Sequence, residues 1–424
     1  MGGSRPLYCT TSILDTDLYK FTMQQAVWKN DALRDKKTVY KFTHRDKDVF
    51  FPRTCIDEFR KSIERFRDVA LTSEEREWLS KTCPYFHTDY LDYLQGFRFK
   101  PEQVSIKFTP VSDDGERGNV DIKAIGPWVE AILWEVPMMA CLSELYFMIG
   151  DTDWDYYGQK EEAFGKALDL LEAGCTFSEF GTRRRRSYHT QDLVIASIID
   201  ASKSYTLSAA GKDKRGKLAG TSNLYFAKKY NIRPVGTIAH EWFMGIAALN
   251  NYENLTDEAL ELWETLYHEH ENLLNALTDT FSTQVFFKDF EANPERAKKW
   301  KGLRQDSGNP EEFAPKAQLT YQKLNIPIST KTIIFSDALT KTKALILQEK
   351  CDELGVQCSF GIGTFLTNDF MRKNNRSERS RALNMVIKLA SIDGKHCVKI
   401  SDDLTKNTGD EATVRAVKKR CGLL

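Results

Sequence analysis

Seven short clusters in this chain hold residues able to grip a phosphate, pair with a carboxylate or move a proton. They are Glu179 to Arg183 (EFGTR), Ala219 to Asn223 (AGTSN), Thr237 to Trp242 (TIAHEW), Leu277 to Ser282 (LTDTFS), Arg304 to Pro310 (RQDSGNP), Phe335 to Leu339 (FSDAL) and Phe360 to Thr364 (FGIGT). Gly361 and Gly363 flank Ile362, so backbone N–H groups there can approach a phosphate with no Cβ in the way. Arg183, Arg304 and the pair Ser307-Gly308 add donors that make a phosphorylated ligand the favoured reading. Asp279, Asp306 and Asp337 supply carboxylates suited to ribose hydroxyls or to water-mediated Mg²⁺, against the alternative of turn and helix-cap aspartates. His240 is a candidate proton carrier or nucleophile, with Glu241 placed to hold one ring nitrogen. Phe180 reads equally as core or as a stacking platform for a flat ring.

Arg183 to Arg186 are four consecutive arginines. Successive residues of a helix point about 100° apart, so four in a row cannot all face one ligand. Arg183 directly follows the Gly181-Thr182 turn and is the one expected in a cavity. Arg184 to Arg186 are expected at the start of a helix, on its surface or in structural ion pairs.

The clusters share a position, immediately after an apolar, strand-like run. From Cys175 onward a short run, a polar turn and an amphipathic helix follow one another about seven times, with strand-like runs at Cys175 to Phe180, Leu218 to Thr221, Pro234 to Ala239, Leu277 to Thr280, Gly302 to Leu303, Thr332 to Phe335 and Cys358 to Gly361. This is the sequence form of βα units. No GxGxxG follows the first strand, which disfavours a dinucleotide-binding sheet. The expectation is an α/β fold, an irregular (β/α) barrel whose strand ends gather the polar loops on one face. Ahead of it, residues 104–124 alternate around Asp114-Gly115 as an antiparallel hairpin, and the first 126 residues read as an α+β domain. Pro127 to Gly150 reads as buried helices broken near Pro137, residues 127–380 as the barrel domain, and residues 381–424 as a segment whose hairpin at Asp393-Gly394 returns to the N-terminal domain.

Lys plus Arg total 60 and Asp plus Glu total 60, so no excess positive field draws in a polyanion, and a general nucleic-acid binder is disfavoured. A nucleic-acid role for Arg183 to Arg186 would show a steep salt dependence. The nine cysteines lie far apart without a CxxC pair, which argues for reduced thiols rather than a disulfide framework or a zinc site. With no signal-like run at the start and no uninterrupted apolar span, the expectation is a soluble protein without a membrane partner, placed in the cytoplasm with the nucleus as a second compartment.

LDTDLYKFTM at Leu14 to Met23, FSEFGTRRRRS at Phe177 to Ser187, LAGTSNLYFAKKY at Leu218 to Tyr230, PVGTIAHEW at Pro234 to Trp242, RQDSG at Arg304 to Gly308 and FGIGTFLTND at Phe360 to Asp369 together resemble the nicotinate phosphoribosyltransferase family, most of all its eukaryotic, fungal-type branch. The resemblance runs in order from about Ser12 to beyond Asp402. It implies an irregular α/β barrel packed against a domain built from both chain termini. The implied reaction joins nicotinate to 5-phosphoribosyl-1-pyrophosphate (PRPP), giving nicotinate mononucleotide and pyrophosphate with coupled ATP hydrolysis, the entry step of NAD salvage.

Residue by residue, the resemblance implies that Tyr19 and Phe180 hold the pyridine ring and that Arg304 takes its carboxylate, with Arg183 on pyrophosphate or that carboxylate. Ser222 stands where nicotinamide-using relatives carry an aspartate, and so places no negative charge beside the substrate. Asp306 and Asp337 would bind ribose hydroxyls and Mg²⁺, while Ser307, Gly308, Ser336, Gly361, Gly363 and Thr364 would hold PRPP and its phosphates. His240 matches the histidine that ATP phosphorylates in this family. The rival readings are the same chemistry on nicotinamide or quinolinate, and a barrel without activity acting as an interaction protein. The implied state is a monomer or homodimer, with Tyr19 acting in its own chain or in a neighbour.

Overall fold

The computed structural model describes residues 10, 12–208, 215–403 and 407–424. Its strands in chain order are β1 (Lys37–His44), β2 (Phe51–Pro52), β3 (Val104–Pro110), β4 (Arg117–Pro127), β5 (Thr176–Glu179), β6 (Lys217–Thr221), β7 (Asn275–Leu277), β8 (Gly302–Gln305), β9 (Thr332–Phe335), β10 (Gln357–Ile362), β11 (Phe370–Met371), β12 (Arg379–Ser380), β13 (Met385–Ile392) and β14 (Lys395–His396). Alternating apolar and polar residues build the first sheet, ordered β14-β13-β1-β4-β2 with β3 paired to β4. β3 and β4 form the expected hairpin, Val104 opposite Ala124. β13 and β14 form the second, turning through Asp393 and Gly394 with φ of 46° and 75°, the left-handed pair that a tight hairpin requires. β13 also lies antiparallel to β1, so residues from both ends of the chain share one sheet.

Short apolar runs build the second sheet, ordered β6-β5-β10-β9-β8-β7, and every pairing in it is parallel. Its helices pack in the same sequence as its strands. Tyr188–Leu207 packs on Gln159–Glu172, which packs on Lys341–Leu354, which packs on Pro310–Lys323. The expected strand at Pro234 to Ala239 is reduced to a single parallel bridge, Pro234 beside Thr221. Two physical reasons act there: Pro234 has no N–H to give, and a Cβ on Gly236 would stand 3.2 Å from the Leu18 side chain, which shows how closely the segment is pressed on the N-terminal helix Leu18–Trp28.

One helix expectation changes. The break in Pro127 to Gly150 falls in the 3₁₀ turn Ile132–Trp134, and Pro137 sits in the first turn of Glu135–Ile149, where a missing N–H costs nothing. Further on, the helix Asp257–Tyr267 is followed by the 3₁₀ turn Glu271–Leu273, which delivers the chain into β7. The stretch Trp128–Ile149 is apolar and long enough to cross a bilayer, but 78% of its apolar window is buried in the fold, as a core element's would be. One apolar core runs through both sheets, and in it Trp128 stacks on Trp242, which meets Trp263 edge-on. Among the described residues eight cysteines are free, seven of them buried; Cys9 lies outside the described residues.

Gly220 borders the bridged segment at φ +145°, and a Cβ there would fall 1.9 Å from the Arg233 carbonyl oxygen. Gly220→Ala is expected to destabilise the protein by at least about 2 kcal/mol, seen as a lower midpoint in thermal unfolding.

Candidate active site

A slot opens on the face of the parallel sheet where its strands end. Its floor is Ser178 of β5, Arg304 of β8, Ile334 of β9 and Ser359 and Gly361 of β10, and its rim is Asp17, Tyr19, Phe180, Arg183, Ser222 and Val235 to Thr237. Tyr19, Phe180, Arg183, Ser222 and Arg304, drawn from four separate stretches of sequence, therefore line one cavity, and Tyr19 does so within its own chain. The Tyr19 hydroxyl is buried and has no hydrogen-bond partner among the described residues. Gly361 has a different reason for being glycine than the one expected: a Cβ there would lie 2.4 Å from the Phe180 ring, so its missing side chain seats that ring.

Ser222 does not stand alone. Its hydroxyl donates to Asp17 Oδ1 at 2.7 Å, and Asp17 lines the same slot. A negative charge therefore borders the cavity after all, from the N-terminal segment and not from position 222. Burial pushes the Asp17 carboxyl above the ordinary range, against the pull of Arg183, whose Nε lies 4.0 Å away.

The arginine run is not helical. Thr182–Arg184 form a 3₁₀ turn, Arg185 is extended, and the helix starts at Tyr188, capped by Ser187, whose hydroxyl accepts from the Thr190 N–H. The helical-wheel expectation for Arg184 to Arg186 fails for that reason, and each arginine has its own surroundings. Arg183 reaches the slot and donates from Nη1 to Glu135 Oε1 at 3.3 Å. Arg184 forms no ion pair with a described residue; its guanidinium is held down to about 10 by burial and by Arg183 and Arg45 nearby. Arg185 makes a two-pronged pair with Asp15, both contacts 2.7 Å and both side chains buried. Arg186 is wholly buried, its guanidinium 3.6 Å from the Phe147 ring centre and donating to Ser380.

Beside the slot lies a second cluster. His240 Nδ1 is 3.0 Å from the Thr280 hydroxyl, and Nε2 is 3.1 Å from Asp306 Oδ2 and 2.9 Å from Lys399 Nζ. One ring nitrogen cannot accept from Lys399 and donate to Asp306 at once, so the tautomer decides which contact is made. Burial, and after it the Lys399 charge, lowers the imidazole to about 4, which leaves it neutral and nucleophilic at neutral pH. Glu241 does not hold the ring as expected; it turns away to Lys20 and Tyr40. Arg304 donates to Asp306 Oδ1 and to the Ser336 hydroxyl, which itself donates to Asp306 at 2.5 Å. Ser307 is turned inward, donating to Asp279 Oδ2 and accepting from the Ser401 hydroxyl. Gly308 (φ +79°) packs beside Asp402. Gly363 and Thr364 begin the short helix Thr364–Thr367, and Asp337 follows β9 within electrostatic reach of Arg184.

Asp17, Glu135, Lys399, Arg45 and Lys388 were not among the expected site residues. Lys388 is lowered to about 7 by burial and by Lys399 and Arg45, a crowding of cations next to the carboxylate of Asp306. None of the five follows a strand of the parallel sheet, so the pattern that exposed the other residues is silent on them.

A parallel sheet whose strand ends gather an aromatic slot, arginines and a histidine–carboxylate cluster defines an enzyme of small-molecule substrates. The comparisons make the class specific: the chain belongs to the nicotinate phosphoribosyltransferase (NAPRTase) family, whose sequence profile matches residues 175–422, with the profile of the family's N-terminal domain on residues 14–143. A Saccharomyces cerevisiae nicotinate phosphoribosyltransferase is 40% identical over 419 residues, covering 97% of this chain and 95% of that protein. A Methanosarcina mazei nicotinate phosphoribosyltransferase is 41% identical, covering 95% and 96%. A crystal structure from S. cerevisiae in the same family superposes with a TM-score of 0.93 at 38% identity, over 98% of this chain and 99% of that one.

Neighbouring arginines should therefore differ sharply when replaced. Arg185→Met strands the buried Asp15 carboxylate and is expected to cost about 3–5 kcal/mol, whereas Arg184→Met should cost well under about 1 kcal/mol; denaturation of the two variants side by side checks this. Histidine NMR, with His240→Gln for assignment, should find the His240 ring neutral from pH 8 down to pH 5, protonating only as pH falls through about 4. Lys399→Met removes a lowering influence and should move that titration upward.

Proposed function

We propose that this chain transfers the phosphoribosyl group of PRPP to the ring nitrogen of nicotinate, releasing pyrophosphate, with ATP hydrolysis coupled through His240. The observation that carries the reading is the single slot lined by Tyr19, Phe180, Arg183, Ser222 and Arg304, opening beside Asp306 and His240. Two aromatic side chains suit a flat ring, and a guanidinium fork suits its carboxylate. The pyridine nitrogen attacks with its own lone pair, so no base is required. What the protein must supply is alignment and charge: a C–O bond breaks at the anomeric carbon while positive charge develops on the sugar, favoured by the carboxylates of Asp306 and Asp337. Arg45, Arg184 and Lys388, crowded cations with no ion pair to a described residue, are the groups we assign to the pyrophosphate. Gly363 and Thr364, at the start of the short helix Thr364–Thr367, are the groups we assign to the 5′-phosphate, while Gly361 serves the ring slot.

Mg²⁺ favours carboxylate and phosphate oxygens. His240, Asp279 and Asp306 bring ligand atoms within 4.8 Å of one another, but Lys399 lies 2.8 Å from Asp279 and Arg304 lies 3.1 Å from Asp306, so the trio makes no cage of its own. The residues fit an ion that arrives on the substrate's phosphates and adds one carboxylate, Asp306 or Asp337. Bound there it would neutralise the departing pyrophosphate. The finer fold reading is an irregular barrel in which the bridged 233–239 segment stands between β6 and β7, supported by the reach of His240, at its end, to Thr280 just beyond β7. Residues 1–126, 127–380 and 381–424 are its proposed divisions.

One observation favours a second base. Asp17 gives the slot a carboxylate able to accept from an amide, so nicotinamide belongs in the test. Nicotinate with PRPP should yield nicotinate mononucleotide, faster with ATP and Mg²⁺, and kcat/KM for nicotinate should exceed that for nicotinamide and quinolinate; preference for the amide would overturn the assignment. His240→Ala should lose both ATP stimulation and labelling from γ-phosphate-labelled ATP.

A further inference from the structure

Buried charge joins the ring slot to the neighbourhood of His240. Lys20 Nζ lies 2.5 Å from Glu135 Oε2 and 2.5 Å from Glu241 Oε2, and no side chain of the three is more than 8% exposed. Each carboxylate spends its other oxygen elsewhere: Glu135 Oε1 accepts from Arg183 Nη1 at 3.3 Å, and Glu241 Oε1 accepts from the Tyr40 hydroxyl at 3.3 Å. The series runs Arg183, Glu135, Lys20, Glu241, and the next residue in the chain is His240. Arg183 and Tyr19, the residue before Lys20, both line the slot.

Lys20 and Arg183 compete for Glu135. A carboxylate binds a guanidinium best in a two-pronged pair, and Lys20 denies Arg183 that geometry by occupying one oxygen. The Arg183 contact stays long, and the side chain remains 40% exposed. Three carboxylates, Asp17, Glu135 and Glu241, thus share two cations, so a change in the hold of one carboxylate is felt by the others.

We propose that Lys20, clasped between Glu135 and Glu241, is a positioning residue that sets the reach of Arg183 into the ring slot and makes that reach answer to the state of His240. The second half rests on the reading of His240 as a phosphorylated residue. A phosphoryl group adds about two negative charges one residue from Glu241. The repulsion is relieved when Glu241 takes a proton or turns aside, and in either case Lys20 is left to Glu135 alone. Glu135 then holds Arg183 less, and the guanidinium is free for the substrate carboxylate.

The test measures nicotinate KM and kcat separately, with and without ATP, alongside label incorporation. Lys20→Met lets Glu135 close on Arg183, so KM should rise at least about ten-fold with a smaller change in kcat. Adding Glu135→Gln should bring KM back, a rescue that general damage would not give; this double variant also removes one cation with one anion, and so keeps the test open if Lys20→Met alone does not fold. Glu241→Gln should still incorporate label, yet show without ATP the lower KM expected of the native enzyme with ATP. An unchanged KM in Lys20→Met, no rescue by Glu135→Gln, or a labelled Glu241→Gln enzyme with the native ATP response would each overturn the proposal. If the native enzyme takes up no label, the phosphohistidine reading fails instead, and the Lys20→Met and Glu135→Gln arms still decide whether Lys20 positions Arg183.

Discussion

The two-pronged pair between Arg185 and Asp15 is the constraint on which the slot depends. It fastens the N-terminal segment to the end of β5, and its neighbours complete the fastening: Asn223 donates to Asp15 at 2.8 Å, and the Leu18 N–H donates to the Ser222 carbonyl at 2.8 Å. Asp17 and Tyr19 are thereby brought over a sheet that begins more than a hundred residues later in the chain. A pair this deeply buried gains little over apolar residues of the same shape, but breaking it leaves a stranded charge. Its contribution is to fix where the segment lies, which is what a ring slot shared between two parts of the chain requires.

Electrostatics then divide the site without any excess of charge on the chain as a whole. Cations crowd at Arg45, Arg184 and Lys388, and carboxylates line the histidine. Burial works against charge on Asp279 and Asp306, yet both carboxyls are held below the ordinary range, Asp279 by the Lys399 ammonium and Asp306 by the Arg304 guanidinium and its hydrogen bond with His240. The same burial keeps His240 neutral. A cluster in which every anion is already met by a donor can receive a new negative group only by rearranging, and such rearrangement is the means by which a covalent change at one side chain can be felt at another.

What could be read from the sequence is what short-range pattern encodes. Both hairpins, the succession of βα units and the clusters after the strands follow from alternation, turn chemistry and strand–loop–helix rhythm, and those clusters supplied Phe180, Arg183, Ser222, Arg304, Asp306 and His240. Three readings failed because they assumed local geometry that tertiary contacts override. Arg184 to Arg186 stay outside the helix because Ser187 caps it two residues after Arg185. Glu241 faces Lys20 because a buried ammonium attracts it more than a neutral imidazole does. Pro234 to Ala239 is bridged but not paired as a strand, because it is pressed against the N-terminal helix. Lys399 and Asp17 lie in terminal segments whose route to the site depends on the whole fold.

That route is the pairing of β1 with β13. Tyr40 on β1 stands opposite Leu389 on β13, just after an irregularity in register between Val39 and Tyr40, and its buried hydroxyl reaches Glu241. Side chains alternate along a strand, so a shift of one residue would turn Tyr40 away from Glu241 and its apolar neighbours away from the His240–Leu249 helix. β13 continues through β14 to Lys399, Ser401 and Asp402, and Ile400 pairs with Phe281 just beyond β7. The register that seats Tyr40 is therefore also what places Lys399 against His240. The terminal sheet contributes no strand to the parallel sheet, yet it fixes the distance between the slot and the histidine cluster, and a two-substrate reaction needs that distance held constant while its ligands come and go.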